Sequence, residues 1–291
     1  MQTRTYGELF KLIRSLAGVG SFSTSELDDI ANLINRRFLQ IFNESPIWPR
    51  YFVTSEKRDI LALTLSGATA STDTTVNQNY KLLGSNTTGG SNVYQGATTT
   101  TVIIYNTGTA WRVDTAASVA EQASGTFTVT GGTQQFIEAD TNKKDNITEV
   151  ETFTPRAGTD SLLVEGKNLV PFAQTGKTTI GSFNRVFRKQ PFLNQSATEY
   201  EFFLDVTGAN ILNIVSTTDN AAFVSYKKEF TPFDVTSGYD TSTVEVPNEF
   251  FPYLAHANYA DFLRMDGQTD KAFAEEERAN LAMALDLKRL I

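Results

Sequence analysis

The chain has 291 residues, 40% apolar and 20% charged, with a formal net charge of −8. This is the composition of a folded globular protein, long enough for about two domains. With no cysteine and one histidine, disulfides, thiolate metal sites and a cysteine nucleophile are excluded, and Ser-His-Asp catalysis and imidazole metal sites nearly so.

The opening run MQTRTYGELFKLIRSLAG carries its apolar residues on a helix face broken by charge. It is therefore expected to be a helix and not a signal peptide. No window approaches the ~18 consecutive apolar residues of a membrane span. Tyr6, Leu9, Phe10, Ile13 and Leu16-Ala17 form one stripe over Thr5 to Ala17, ended by Gly18 and Gly20. Ser23-Thr24-Ser25 supplies N-cap residues for a second helix to about Asn43, striped by Leu27, Ile30, Ile34, Phe38 and Ile41. Pro46 and Pro49 stop it and bracket Trp48. Tyr51 to Ile60 reads as a strand.

From Leu63 to Gly132 the composition shifts to Thr, Ser, Gly and Asn with few charges. Short apolar runs at Tyr80-Leu83, Val102-Tyr105, Trp111-Val113 and Phe127-Val129 alternate with glycine turns. Such periodic aromatics mark a small β module and not a linker. Further strands follow to about Val235, including Glu199–Val206 with Ile211–Val215 as its hairpin partner. After Pro247, a helix over Phe250–Leu263, the turn Asp266-Gly267-Gln268 and a helix over Thr269–Leu290 make an αα-hairpin. Glu275 to Glu277 early and Lys288-Arg289 late match the helix dipole.

The expected class is α+β. The N- and C-terminal helices (residues 1–50 and 247–291) form a helical bundle. A central antiparallel β domain takes residues 51–62 and 133–246, and the small β module is inserted at 63–132.

Little in the chain carries chemistry. Gly176-Lys177-Thr178-Thr179 resembles the end of a P-loop, but Pro171 stands where its first glycine is needed, so a polar turn is expected. His256 has no companion ligand for a metal, and Asp28-Asp29 and Glu275-Glu277 are read as dipole-stabilising carboxylates and not a glycosidase pair. Asn86, Asn146 and Asn194 stand in chance Asn-X-Ser/Thr matches. The basic pairs Lys143-Lys144, Arg188-Lys189 and Lys227-Lys228 are scattered and expected to be solvated. The acidic balance argues against gripping DNA and suits a wall past which DNA slides. Tyr80, Tyr94, Tyr105 and Trp111 are the candidates for a sugar-stacking platform, against the alternative that they fill a core. No enzyme activity, cofactor, metal or membrane contact is expected.

Both ends of the chain resemble the head-to-tail connector (adaptor) proteins of tailed bacteriophages. The resemblance is carried by Val246-Pro247-Asn248-Glu249-Phe250-Phe251-Pro252-Tyr253-Leu254, by Arg264-Met265-Asp266-Gly267-Gln268, and by Ala222-Phe223-Val224-Ser225-Tyr226-Lys227-Lys228. At the other end it is carried by Ile34-Asn35-Arg36-Arg37 with Ser45-Pro46-Ile47-Trp48-Pro49. Residues 63–132 resemble a β module inserted in various phage structural proteins. The resemblance implies a structural virion protein, made in the host cytoplasm and placed in the neck. It implies a homo-oligomeric ring, usually of twelve copies, that joins the portal to the tail and forms part of the DNA channel without binding DNA specifically. Its partners are then the portal protein and tail, nozzle or other neck proteins. The expected portal-facing residues are Phe250, Phe251, Leu254, Leu287, Leu290 and Ile291. A carbohydrate-binding tail or fibre protein using the β module, and a tail-completion or nozzle protein, are the alternatives.

Overall fold

The computed structural model describes residues 3–68, 74–88, 91–123, 125–138, 147, 151–155, 162–193, 198–205, 211–215 and 219–289. In chain order the elements are β1 (Thr3–Thr5), α1 (Tyr6–Ala17), α2 (Thr24–Glu44), β2 (Phe52–Asp59), β3 (Leu61–Ser66), β4 (Asn79–Asn86), β5 (Asn92–Gly96), β6 (Ile103–Asn106), β7 (Trp111–Ala123), β8 (Thr126–Glu138), β9 (Glu151–Pro155), β10 (Leu162–Pro171), β11 (Ile180–Phe187), β12 (Phe202–Asp205), β13 (Ile211–Ile214), β14 (Ala221–Lys228), β15 (Glu245–Pro247), α3 (Phe251–Met265) and α4 (Thr269–Lys288). They fall into two compact units, residues 1–53, 180–182 and 226–291, and residues 54–179 and 183–225. A three-stranded sheet runs in the order β11-β14-β2.

In the first unit, local chemistry starts each N-terminal helix. Thr5 and Glu8 form a capping box on α1, and Ser23 and Glu26 form one on α2. Each satisfies two otherwise orphaned N–H groups. Gly18, at φ 70°, ends α1 in the left-handed conformation that favours glycine. The indole N–H of Trp48 donates to the Ile41 carbonyl at 2.8 Å, folding the Pro46–Pro49 stop back onto α2.

Helix α3 touches α1, α2 and α4, but the helices alone do not make the core. Much of it comes from the irregular stretch between β14 and α3. Phe233 stacks on Phe38 at 4.3 Å and meets Tyr6 edge-on, Tyr239 stacks on Phe10, and Phe250 sits edge-on to Trp48. The side-chain amide of Asn35 clamps this stretch by accepting from Phe233 N at 2.8 Å and donating to Phe233 O at 3.1 Å. Strands β1 and β15 pair antiparallel, Thr3 opposite Pro247.

The second unit is a closed barrel. Strands β3 to β10 pair in sequence, and β10 returns to pair with both β9 and β3. Inward residues alternate with outward ones along each strand, so Leu63, Leu65, Tyr80, Tyr94, Ile104, Trp111, Val113, Phe136, Phe153 and Val164 fill one interior. Eight strands leave room for side chains and no channel.

The long β7–β8 hairpin bends where Ala116 takes φ 53° and Gly131 and Gly132 take φ 68° and 89°. Beyond the bend, Val119, Phe127 and Val129 cover Val93, Ile103 and Ala117 on the outer face. There β4 meets β8 in parallel, Ser85 opposite Thr126. The approach needs Gly84, since a Cβ there would lie 2.3 Å from Gly125 O.

The expected class is thereby corrected. The protein is mostly β, about 40% strand, around an eight-stranded barrel, and among the described residues only four α-helices accompany it, so it is not a helical bundle around a central β domain. The shift in composition at Leu63 does not mark a separate inserted module. Residues 63–132 supply most of β3 to β8, and the barrel closes only when β9 and β10 join them. Backbone pairing between distant strands, which composition does not encode, is the physical reason.

Candidate functional site

Helix α4 buries one narrow face, through Ala272, Glu275 and Ala279. The small side chains of Ala272 and Ala279 allow close approach to α3. The other face repeats every four residues, which stacks Phe273, Glu277, Leu281 and Leu285 in one row. Phe273 and Leu281 are each 62% exposed and Leu285 53%. Burying side chains of this size fully contributes about 1.5–3 kcal/mol each, so the row is suited to a partner. In the same unit a shallow groove of about 400 Å³ is lined by Asp29, Asn32, Leu33 and Arg36 of α2 with Met265, the last residue of α3.

A charged hub holds α4 in place. Arg37 of α2 is buried and donates in two forks, to Asp261 of α3 at 2.7 and 2.6 Å and to Glu276 of α4 at 2.8 and 2.8 Å. Arg264 joins both carboxylates at 2.8 and 2.9 Å. Burial alone lowers the pKa of the Arg37 guanidinium, but hydrogen bonds to the two carboxylates outweigh it and raise the pKa above its ordinary value. The positive charge is thus permanent, as the pairing requires. His256 of α3 meets Glu275 of α4 at 2.7 Å and so also braces the two helices, while Arg278 holds the same carboxylate at 2.6 Å from within α4.

The barrel unit has an apolar margin of its own. Among the described residues strand β12 is the last strand on its side of the sheet, with no strand paired to its outer edge. Its successive side chains point to opposite faces, yet Phe203 and Leu204 are 58% and 46% exposed. Val215, beyond β13, and Phe192 and Leu193 are exposed as well. Soluble proteins blunt such edges with charge or proline; here the charges stand only at the two ends, Glu201 and Asp205, and Phe202 to Leu204 between them are apolar.

Most of the residues singled out from the sequence lie elsewhere. Phe250, Phe251 and Leu254 are in the core of the helical unit, and Leu287 is partly buried against it. Leu290, Ile291, Lys143, Lys144, Asn146 and Asn194 lie outside the described residues. Tyr80, Tyr94 and Trp111 are 0% exposed inside the barrel, so no ring face is open to a sugar.

Tyr105 is half-buried and donates to Asp114 Oδ2 at 2.8 Å. Burial and then Asp114 push its phenol up to about 12, while burial raises the Asp114 carboxyl above the usual range. The Asp114 Oδ1 atom is buried without a partner among the described residues.

Lys227 departs from the expectation of a solvated pair. It lies buried over the Phe42 ring at 3.7 Å and donates to the Phe42 carbonyl. The Gly176-Lys177-Thr178 run is a turn between β10 and β11, with Lys177 N bonded to Gln174 O at 3.0 Å. Among the described residues no group of three or more His, Asp or Glu is placed to hold a metal, and no helix is long and apolar enough to cross a membrane.

No protein-family model matches the chain, and no curated protein matches it.

The outer face of α4 and the β12 edge were the surfaces the sequence reading missed. The four-residue spacing of Phe273, Leu281 and Leu285 was available as a signal. It is hidden because α4 has alanines on both faces, so neither side stands out as the core-facing one.

Proposed function

We propose that this chain is a structural subunit of an assembly, and within that class a head-to-tail connector that forms a ring between portal and tail. The observation that carries the structural reading is the exposed apolar row on α4, repeated in kind by Phe203 and Leu204 on β12, the last strand on its side of the sheet among the described residues. Exposed apolar surface of this sort marks interaction sites in soluble proteins. A heterologous ring interface needs two such surfaces on each copy, one to offer and one to receive.

The connector reading adds the likeness of both chain ends to that family. Two of its motif residues have clear structural tasks, Asn35 clamping Phe233 and Arg37 tying three helices together. On this reading the portal meets the outer face of α4, in place of Phe250, Phe251 and Leu254, which the core consumes. Twelve copies line a channel whose acidic character lets DNA pass without specific binding, and the subunit resides in the virion neck.

The test is imaging of the purified protein with and without portal rings by negative-stain electron microscopy. Rings that stack coaxially on portal rings are the expected result. A monomer that ignores portal overturns the reading, as does unchanged portal binding by a Leu281→Ser, Leu285→Ser double variant.

A further inference from the structure

Within the barrel unit a cleft of about 420 Å³ with a mixed polar and apolar lining lies among β3, β4, the β5–β6 loop and the β10–β11 loop. Its lining includes Lys81, Lys177, Asp59, Asn79, Thr98 and Thr100. The size falls within the range of small-molecule sites.

The side chains around this cleft brace its walls. Gln174 accepts from Asp59 N at 3.1 Å and donates to Asp59 O at 2.7 Å, which pins the β10–β11 loop to the end of β2. Arg58 donates to the Thr178 carbonyl from the other side of the same loop. Opposite, Gln78 accepts from Thr98 N and Thr99 N at 2.9 and 2.8 Å and donates to Thr75 O at 2.8 Å. Gly96 lets the β5–β6 loop turn tightly, since a Cβ there would sit 2.4 Å from Thr99 O. Walls held in this way lose little freedom when a ligand arrives.

The remaining groups define what the cleft can take. Lys81 stands opposite Leu61 and Gln95 in the sheet and makes no ion pair among the described residues. Lys177 is only 3.9 Å from Glu56, whose carboxylate is also held by Arg58 at 2.8 Å. Lys81, and Lys177 with its long contact to Glu56, thus offer two ammonium groups to an anion, in a chain of net charge −8. Asp59 opposes a run of phosphates, and neither arginine nor an aromatic ring lines the cleft for phosphate forks or base stacking. Carboxylate, amide and hydroxyl groups beside the lysines suit a ligand with one acid group and several hydroxyls.

We infer that this cleft binds an acidic saccharide, its carboxylate taken by Lys81 and Lys177 and its hydroxyls by Asp59, Asn79 and the threonines. The site uses none of the residues of the proposed assembly surfaces and does not rest on the connector reading.

The experiment is titration calorimetry of the full chain at low ionic strength with glucuronate, galacturonate and N-acetylneuraminate, and with glucose and inorganic phosphate as reference probes. At least one acidic sugar is expected to bind tenfold or more tighter than glucose and phosphate. Losing one charge-assisted contact corresponds to about tenfold in affinity, so Lys81→Gln and Lys177→Gln each weaken binding by about that factor. Lys189→Gln, outside the cleft, leaves it unchanged. Lys177 is on an exposed turn, so its variant remains informative even where Lys81→Gln perturbs β4. Phosphate binding as tightly as the best sugar, glucose binding equally well, no binding of any acidic sugar, or Lys177→Gln binding as wild type each overturn the inference.

Discussion

The two units solve the same problem, closing a core, by different means. The helical unit relies on side chains that reach across the chain. Arg37 links α2, α3 and α4, and aromatic rings from the irregular stretch after β14 fill what the helices leave open. The barrel unit relies on backbone ladders that run around a closed circle, with side chains filling the interior behind them. A network of directed side-chain contacts concentrates stability in a few residues, whereas a ladder spreads it and is sensitive to close approach of the backbone. Each core holds one of the two tryptophans, Trp48 in the helical unit and Trp111 in the barrel. A Trp111→Phe background thus lets Trp48 report on the helical unit alone, and a Trp48→Phe background lets Trp111 report on the barrel alone.

The sharpest way to break the comparison is at the hub. Arg37→Met leaves Asp261 buried without its main partner, and breaking such a pair costs about 3–5 kcal/mol. The helical unit, followed by Trp48 fluorescence in chemical denaturation, is expected to lose most of its stability while the Trp111 signal keeps its midpoint. Equal loss in both signals contradicts the separation of the two cores.

The matching change in the barrel is Gly84→Ala. Its Cβ meets a backbone oxygen that cannot move aside, so about 1–3 kcal/mol is expected to be lost, read on Trp111 and absent from Trp48.

A smaller effect of opposite sign is expected at Asp114. Its folded pKa is raised by burial, so the folded state holds a proton that the unfolded state has released over the interval between the two pKa values. The protonated carboxyl supports the barrel below the ordinary carboxylate range, and that support is lost as pH rises through the raised value. Asp114→Asn keeps a neutral group in place. It is expected to stabilise the barrel by about 1 kcal/mol at neutral pH, with the gain shrinking towards zero in acid. Thermal melts of both proteins at neutral and acidic pH measure this, and a gain that grows in acid reverses the sign.

The smallest effect on stability is expected from Phe203→Ser and Leu281→Ser, within about 0.5 kcal/mol each because both side chains are exposed. Their consequence is in association. Sedimentation velocity is expected to show smaller assemblies for each, and unchanged assembly assigns neither surface to an interface.

How much of this was legible follows from how local each determinant is. The helices lie near their expected limits because Thr5 with Glu8, Ser23 with Glu26, Gly18 and Pro46 act within a few residues of themselves. The β12–β13 hairpin is local in the same sense, with Phe202 opposite Ile214. Barrel closure is not local, because β10 finds β3 and β9 through hydrogen bonds that depend on no particular side chain. Once closure is known, the burial of Tyr80, Tyr94 and Trp111 follows from strand alternation. The burial of Lys227 is hidden from the sequence for a related reason, since it depends on Phe42, which lies far away in the chain. For the candidate surfaces, spacing shows that a helix has two faces, and only the fold says which face the neighbour covers.

The chain order of these contacts also bears on when the protein can form. Strand β3 must wait for β10, Leu61 opposite Leu169, roughly a hundred residues later. Helix α1 must wait longer, because α3 near the other end completes its core. With synthesis proceeding at about 5–20 residues per second, both cores stay open until most of the chain has emerged. Strand β12 follows the strands that close the barrel, and the α4 row comes later still. Folding order therefore keeps both surfaces incomplete on a chain that is only partly made.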